Sequence, residues 1–262
     1  FTDCTANQMY STLIHEFQHM INFNRKNIAY NTSSATWYNE LLSLVAEDMI
    51  GPEIGLPAAS GPIGTRVPAF LAYYDYDGLT TWNSTLANYS IAYAFGAYLA
   101  RNYGGPALIS AIESNASVNV DSIDAALKAC DATTFPPSLS DGAAFTEAVR
   151  RYGQALVYSG LNGPAYSGAG LASFDKSSSG SVGGTAYGFS AFDIWKKNPF
   201  DFSAKIVYSS FGPLVWPFAQ YDIPAYTLTL QSASSWQNVS GDLSVVLERP
   251  SNPDVELYLM IR

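Results

Sequence analysis

The sequence predicts an α+β protein in which a mainly helical domain is followed by a small β-rich domain. Two changes in composition and residue pattern along the 262 residues support this division. Up to about residue 158, apolar residues recur at helical spacing between caps and Gly-Pro stops. Residues 159–192 are rich in Gly, Ser and Ala, and residues 193–262 contain short strand-like runs separated by turn residues. We therefore expect a helical domain at 1–158, a linker or loop region at 159–192 and a sandwich-like or barrel-like β domain at 193–262.

The first helix is expected to begin at a capping box, Thr5–Gln8, and to end near Asn24-Arg25-Lys26. Its apolar stripe includes Leu13 and Phe17, and it predicts that the helix is buried. Residues 51–68 contain four prolines and four glycines, and we expect an irregular surface connection there. Further helices, some with caps such as Asp121 and Ser140, are predicted at 36–50, 84–102, 107–114, 120–130 and 141–158.

The first helix carries the motif His15-Glu16-x-x-His19. Residues four apart lie on one face of a helix, so both imidazoles can reach one tetrahedral metal ion. Glu16 is then placed beside a metal-bound water and can take its proton. The chain has only two histidines and both are in this motif, which favours a metal site over two solvent-facing histidines.

A catalytic zinc ion needs three protein ligands and one open position. Because no third histidine exists, the third ligand must be a carboxylate or a thiolate. Glu40 lies 21 residues beyond His19, which leaves room for a turn and a returning helix. Glu47 lies seven residues further on, on the same helical face, and is the alternative ligand. The two cysteines, Cys4 and Cys130, are candidates for one disulfide instead.

The segment His15-Glu-Phe-Gln-His-Met-Ile-Asn22, followed by Trp37-x-Asn39-Glu40, resembles the gluzincin zinc peptidases. It is most similar to the hyicolysin family of secreted bacterial metallopeptidases. This resemblance implies that His15, His19 and Glu40 bind Zn2+ and that Glu16 is the catalytic acid and base.

The resemblance also implies that a further carboxylate holds one ligand histidine in place. Thermolysin-like enzymes have an Asp four residues after the ligand Glu, where this chain has Leu44. The role would therefore fall to Glu47, or else to Asp48; the alternative is that both residues belong to a solvated helix end. A metzincin site is excluded, because its Gly and third His would stand at Asn22 and Arg25.

Stabilisation of the tetrahedral oxyanion needs a hydrogen-bond donor, and no histidine is left to provide it. Zinc aminopeptidases use a tyrosine that is followed ten residues later by Leu, and Tyr89 and Leu99 are similar in spacing. Tyr89 is therefore the predicted donor. Tyr93 is the alternative, and a core tyrosine without such a role is the third possibility.

Together these features predict a secreted zinc metalloendopeptidase in which a zinc-activated water attacks the peptide bond. A zinc aminopeptidase and a non-catalytic adhesin or binding module with a structural zinc site are the alternatives. Charged residues make up only 13% of the chain, which is typical of extracellular proteins. The net charge is −9, and 13 scattered Lys and Arg residues disfavour nucleic acid as a partner. Protein or peptide substrates are expected instead.

Three smaller expectations complete the prediction. No apolar run approaches 18 residues, so no membrane span is expected. The segment Asp75-Tyr-Asp77-Gly78 could be a fragment of a Ca2+ loop, but a plain turn is favoured because the other oxygen ligands are missing. Only 14 residues precede His15, whereas gluzincins usually have a β-sheet before the metal helix. Either an upstream segment, removed by processing or excision, supplies this sheet, or the β-rich tail covers the site, or the cleft is incomplete.

Overall fold

A computed structural model describes residues 5–74, 76–159, 172–194 and residue 226. This part of the chain is mainly helical, as predicted, with one two-stranded hairpin. The α-helices are α1 (Ala6–Asn22), α2 (Thr36–Ile50), α3 (Pro62–Tyr73), α4 (Leu86–Asn102), α5 (Pro106–Ser114), α6 (Asn119–Cys130) and α7 (Ala143–Tyr158). The strands β1 (Ser178–Val182) and β2 (Thr185–Phe189) pair antiparallel, and short 3-10 helices cover Pro52–Ile54 and Ala58–Ser60. None of the helices in this part is long and apolar enough to cross a bilayer.

The capping box at the start of α1 is present as predicted. The Thr5 side chain accepts a hydrogen bond from the Gln8 backbone N–H, and the Gln8 side chain accepts one from the Thr5 N–H. The helix does not stop near Lys26 but continues as a π-helix, Phe23–Ala29. The fully buried Lys26 ammonium donates to three carbonyl oxygens at the end of α5 and just after it, which fixes this extension against the helical core.

The prediction that α1 is buried along its apolar stripe is wrong. Only Ser11 and Asn22 of this helix are buried, because its polar face packs against α2. The apolar side chains face outward: Leu13 is 58% exposed, Phe17 63% and Met20 65%. An apolar stripe shows that a face can be buried, but the stripe does not show which face packs on the core.

The centre of the fold is the contact between α2 and α4. All but a few residues of α4 are buried, and the two helices approach most closely at Gly96. A Cβ atom built on Gly96 would lie 2.6 Å from Val45 Cγ2 and 2.9 Å from Leu41 Cγ, and both side chains are fully buried. Glycine at this position therefore sets the distance between the helix that carries Glu40 and the helix that carries Tyr89.

Replacing Gly96 with Ala is expected to destabilise the protein by about 1–3 kcal/mol through overpacking, even though Ala favours helix more than Gly does. Chemical denaturation measures this change. Gly180→Ala is the matched control, because a Cβ atom there would meet only side-chain atoms of Pro106, the nearest at 3.6 Å. Equal stability of Gly96→Ala and the wild type would show that α2 and α4 can separate without cost.

Helix α3 was not predicted, since residues 51–68 were expected to be irregular. Pro62 occupies the first turn of α3, where the missing N–H needs no partner. Pro68 lies inside the helix. Prolines are usually helix breakers, so the sequence pattern concealed a helix whose residues Ile63, Val67 and Phe70 are all buried.

The other predicted helices are confirmed within about two residues at each end. The predicted caps of α6 and α7 are wrong: the residue before α6 is Val118, and the residue before α7 is Gly142. The Asp124 carboxylate instead accepts hydrogen bonds from the backbone N–H groups of Ala144 and Phe145. A side chain from a neighbouring helix thus supplies the cap, and local sequence cannot reveal it.

The hairpin β1–β2 lies inside the stretch 159–192 that was expected to be a linker or loops. It is held to the helical core by Arg101, whose Nε donates to the Ser190 carbonyl oxygen. The Arg101 guanidinium is also 4.6 Å from the ring centroid of Phe192 and 2.9 Å from Asp48 Oδ2.

The division into domains stays a prediction, because residues 195–225 and 227–262, which include most of the predicted β domain, lie outside the described residues. Cys4 of the predicted disulfide also lies outside them.

Candidate metal centre

Helices α1 and α2 bring together His15, His19 and Glu40, which we call the ligand triad. One nitrogen of each imidazole and one carboxylate oxygen all lie within 4.8 Å of one another. The two imidazole rings are nearly perpendicular, with centroids 4.7 Å apart. The His19 side chain is 24% exposed and Glu40 is 11% exposed, so the triad can be reached from solvent on one side. Two helices that pack against each other thus create a three-donor group with an open side.

The chemistry of these donors fits a metal cation. Glu40 Oε2 is buried and has no hydrogen-bond partner, although His15 Nε2 lies only 3.0 Å away. His19 Nε2 lies 3.7 Å from the other oxygen, Oε1. Lone pairs on these atoms would repel one another across such distances unless a proton or a cation lies between them. A soft or borderline divalent ion accepts this set of two imidazoles and one carboxylate.

The outer nitrogen of His15 is held by Glu47. His15 Nδ1 lies 2.8 Å from Glu47 Oε1, and the Ser11 hydroxyl donates to the other carboxylate oxygen. With a proton on Nδ1, the Nε2 lone pair of His15 points toward Glu40. Glu47, the alternative ligand, therefore contacts the Nδ1 side of His15, whereas Glu40 faces Nε2. Asp48 is engaged elsewhere, with Tyr93 and Arg101.

The outer nitrogen of His19 has its own partners, which the sequence reasoning did not identify. His19 Nδ1 lies 3.0 Å from Asn39 Oδ1 and 3.0 Å from the Ser43 hydroxyl oxygen. Asn39 adjoins Glu40, and Ser43 is one turn further along α2, so helical spacing from Glu40 was a signal that could have found both. Ser11 stands four residues before His15 and could have been found in the same way.

The His15 imidazole shows how strongly the site attracts positive charge. Burial lowers its pKa, but the nearby Glu40 and Glu47 carboxylates more than offset this and raise the pKa to about 9. When no metal ion is bound, the two carboxylates thus favour a proton on His15. A metal ion must displace that proton, as is general for imidazole ligands.

The two predicted catalytic residues differ in their exposure. Glu16 is exposed, and among the described residues it has no hydrogen-bond or ion-pair partner. Tyr89 is half-buried on α4, and its ring contacts Trp82 at a centroid distance of 4.9 Å. Burial raises the pKa of Tyr89, the charges of Glu40 and Glu16 raise it further, and the Arg66 guanidinium opposes them. Tyr89 is therefore within electrostatic reach of both carboxylates.

Tyr93, the alternative oxyanion donor, does not face the triad. Its side chain is fully buried, and its hydroxyl donates to Asp48 Oδ2 at 3.0 Å.

The candidate calcium fragment forms hydrogen bonds within the fold: Asp77 Oδ2 accepts hydrogen bonds from the side-chain amides of Asn83 and Asn88. This agrees with the plain turn that the sequence favours, while Asp75 lies outside the described residues.

In a comparison with known protein families, residues 3–182 match the model described as Peptidase M30. The match covers more than two thirds of the chain and includes α1 to α7 and strand β1. The chain belongs to the peptidase M30 family. Comparison with curated proteins gives no significant match.

Membership in peptidase M30, the hyicolysin family, makes this chain a metallopeptidase that acts on peptide bonds. The family-level resemblance that the sequence indicated is thus confirmed. In the described part of this peptidase, the triad is the only group of three or more His, Cys, Asp and Glu side chains that could hold a metal ion.

Proposed function

We propose that this M30 peptidase is a secreted zinc metalloendopeptidase in which His15, His19 and Glu40 hold the ion. The observation that carries the proposal is the convergence of three ligand atoms within 4.8 Å, one of the carboxylate oxygens being buried without a hydrogen-bond partner. Two imidazoles and a carboxylate, open on one side, are the donor set of catalytic zinc sites. The weakly charged composition supports secretion.

When bound, zinc supplies Lewis acidity that polarises the scissile carbonyl group and lowers the pKa of water to about 7. Glu16 then acts as the general base. It adjoins His15 in the chain, and its exposed carboxylate is free to take a proton from the attacking water. As the C–N bond breaks, Glu16 returns this proton to the leaving amine, so the carboxylate is restored at the end of the cycle.

Tyr89 supplies the donor for the oxyanion that develops on the carbonyl oxygen. Its raised pKa keeps the phenol protonated, so the hydroxyl can donate a hydrogen bond at neutral pH. Glu47 and Asn39 act on the other side of the triad, where they hold the Nδ1 atoms of His15 and His19. Their role is to keep the Nε2 atoms aimed at one point.

The proposal is tested by metal analysis together with casein cleavage. The purified protein is expected to contain about one zinc ion per chain and to cleave casein, and a chelator is expected to remove both zinc and activity. Peptides with acetylated N-termini should still be cleaved. Failure on blocked peptides with cleavage of free ones would favour an aminopeptidase, and zinc without any cleavage would favour a structural zinc site in a binding module.

A further inference from the structure

Arg66 is a cation that has no role in the proposed mechanism of peptide hydrolysis. It lies on α3, and its guanidinium carbon is 5.2 Å from the centroid of the Tyr89 ring. Its Nε atom is buried and has no hydrogen-bond partner. Nor does any carboxylate of the described residues form an ion pair with it. Arg66 is thus a half-buried positive charge whose neighbour is an aromatic face rather than an anion.

In contrast to Arg66, the two fully buried cations of the described part both have compensating partners. Arg101 is paired with Asp48 at 2.9 Å, and Lys26 donates to three carbonyl oxygens at 2.8–2.9 Å. Burial of a charge is costly unless a partner compensates it. Among the described residues Arg66 has no such partner, so a bound ligand can supply it. A guanidinium is best compensated by a carboxylate that it can bind through two parallel hydrogen bonds.

The position of Arg66 places this partner at the candidate metal centre. Tyr89 connects the two, because the Arg66 guanidinium stacks on the ring of the residue proposed to donate to the oxyanion. The 3-10 helix Ala58–Ser60, just before α3, contacts α1, which carries the two histidines. The pKa of Tyr89 responds to Glu40 and Glu16 as well as to Arg66, which supports this proximity.

We propose that Arg66 binds a carboxylate of the substrate near the scissile bond, so that this peptidase prefers peptides with an anionic group there. The carboxylate belongs either to an acidic side chain or to a free C-terminus. The proposal rests on the proposed peptidase function of the same site. Because the net charge of the chain is −9, a substrate carboxylate is repelled in general, and the local cation must provide the attraction.

Two pairs of peptides distinguish the two sources of the carboxylate. One pair differs by Glu or Gln beside the cleaved bond, and the other by a free or an amidated C-terminus. In one of the pairs the wild type is expected to show a kcat/KM about 10- to 100-fold higher for the anionic member, mainly through a lower KM. In Arg66→Gln that ratio is expected to fall to about 1, and Arg66→Lys should retain part of it.

Tyr89→Phe is the comparison variant, because it keeps the ring beneath Arg66 but removes the hydroxyl. It is expected to lower kcat on both members of each pair and to leave their ratio intact. A wild-type ratio near 1 in both pairs, or a ratio that survives in Arg66→Gln, would overturn the proposal.

Equilibrium binding of the same peptides to the zinc-loaded Glu16→Gln variant provides a readout that does not depend on turnover. The anionic member should bind about 10- to 100-fold more tightly, and this preference should disappear when Arg66→Gln is added. If the wild type cleaves no peptide, the peptidase function fails, while the binding ratio still decides the role of Arg66. Equal binding of the two members in both pairs would refute the proposal by itself.

Discussion

Replacing Glu16 with Gln is expected to lower kcat for peptide hydrolysis by about 10²–10⁴-fold while the bound metal ion is retained. The amide has nearly the shape of the carboxylate but cannot accept the proton of the attacking water, and general-base catalysis contributes an effect of this size. Glu16 is outside the ligand triad and has no structural partner in the described residues, so neither metal binding nor folding should change.

The measurement combines peptide-cleavage kinetics with zinc analysis of the same samples. Glu53→Gln is the matched control: Glu53 is also an exposed glutamate, but it lies in the 3-10 helix Pro52–Ile54, and no catalytic role is proposed for it. Full activity of Glu16→Gln would refute the proposed general base. Loss of zinc from this variant would show that Glu16 takes part in metal binding instead.

Replacing Glu40 with Gln is expected to weaken zinc binding by more than about 100-fold and to abolish activity with it. The carboxylate is one of the three proposed donors, and the neutral amide would leave two imidazoles that cannot hold the ion tightly. Glu47→Gln should weaken binding by only about 10–100-fold, the range for residues that orient a ligand histidine. Competition with a chromophoric chelator gives both affinities at one pH.

The order of the two variants tests which glutamate is the ligand. Glu40 Oε2 and His15 Nε2 face each other at 3.0 Å, whereas Glu47 meets His15 at the opposite nitrogen, Nδ1. A larger loss in Glu47→Gln than in Glu40→Gln would assign the ligand role to Glu47. The control Glu53→Gln should leave the affinity unchanged.

The sequence predicted those parts of the fold that depend on local signals. Helix α2 ends at a Gly-Pro pair, and α1 begins at a capping box between Thr5 and Gln8. The end of α2 and the start of α1 could therefore be located from neighbouring residues. Helix α3 was missed because two prolines conceal it. Strand β1, Ser-Ser-Gly-Ser-Val, has neither apolar alternation nor β-branched residues except at its end, and it was missed for that reason.

The grouping of His15, His19 and Glu40 could be predicted because the chain has only two histidines and the three residues are closely spaced in the chain. The contacts that surround it join distant segments: Ser11 meets Glu47 across 36 residues, and Arg66 stacks on Tyr89 from another helix. Such contacts depend on how helices cross. The sequence pattern also could not show that Tyr93 bonds with Asp48 in the core while Tyr89, one turn earlier on the same helix, is half-buried next to Arg66.

The outward-facing apolar side chains of α1 have a consequence for the lifetime of the metal centre. This helix buries little apolar surface, so hydrophobic burial contributes little to the free energy of its local unfolding. Its attachment to α2 depends largely on polar contacts: the two histidines with their partners, and Ser11 with Glu47. A metal ion shared by both helices would therefore add its binding energy directly to that attachment. Release of the ion and detachment of the helix then become one coupled event.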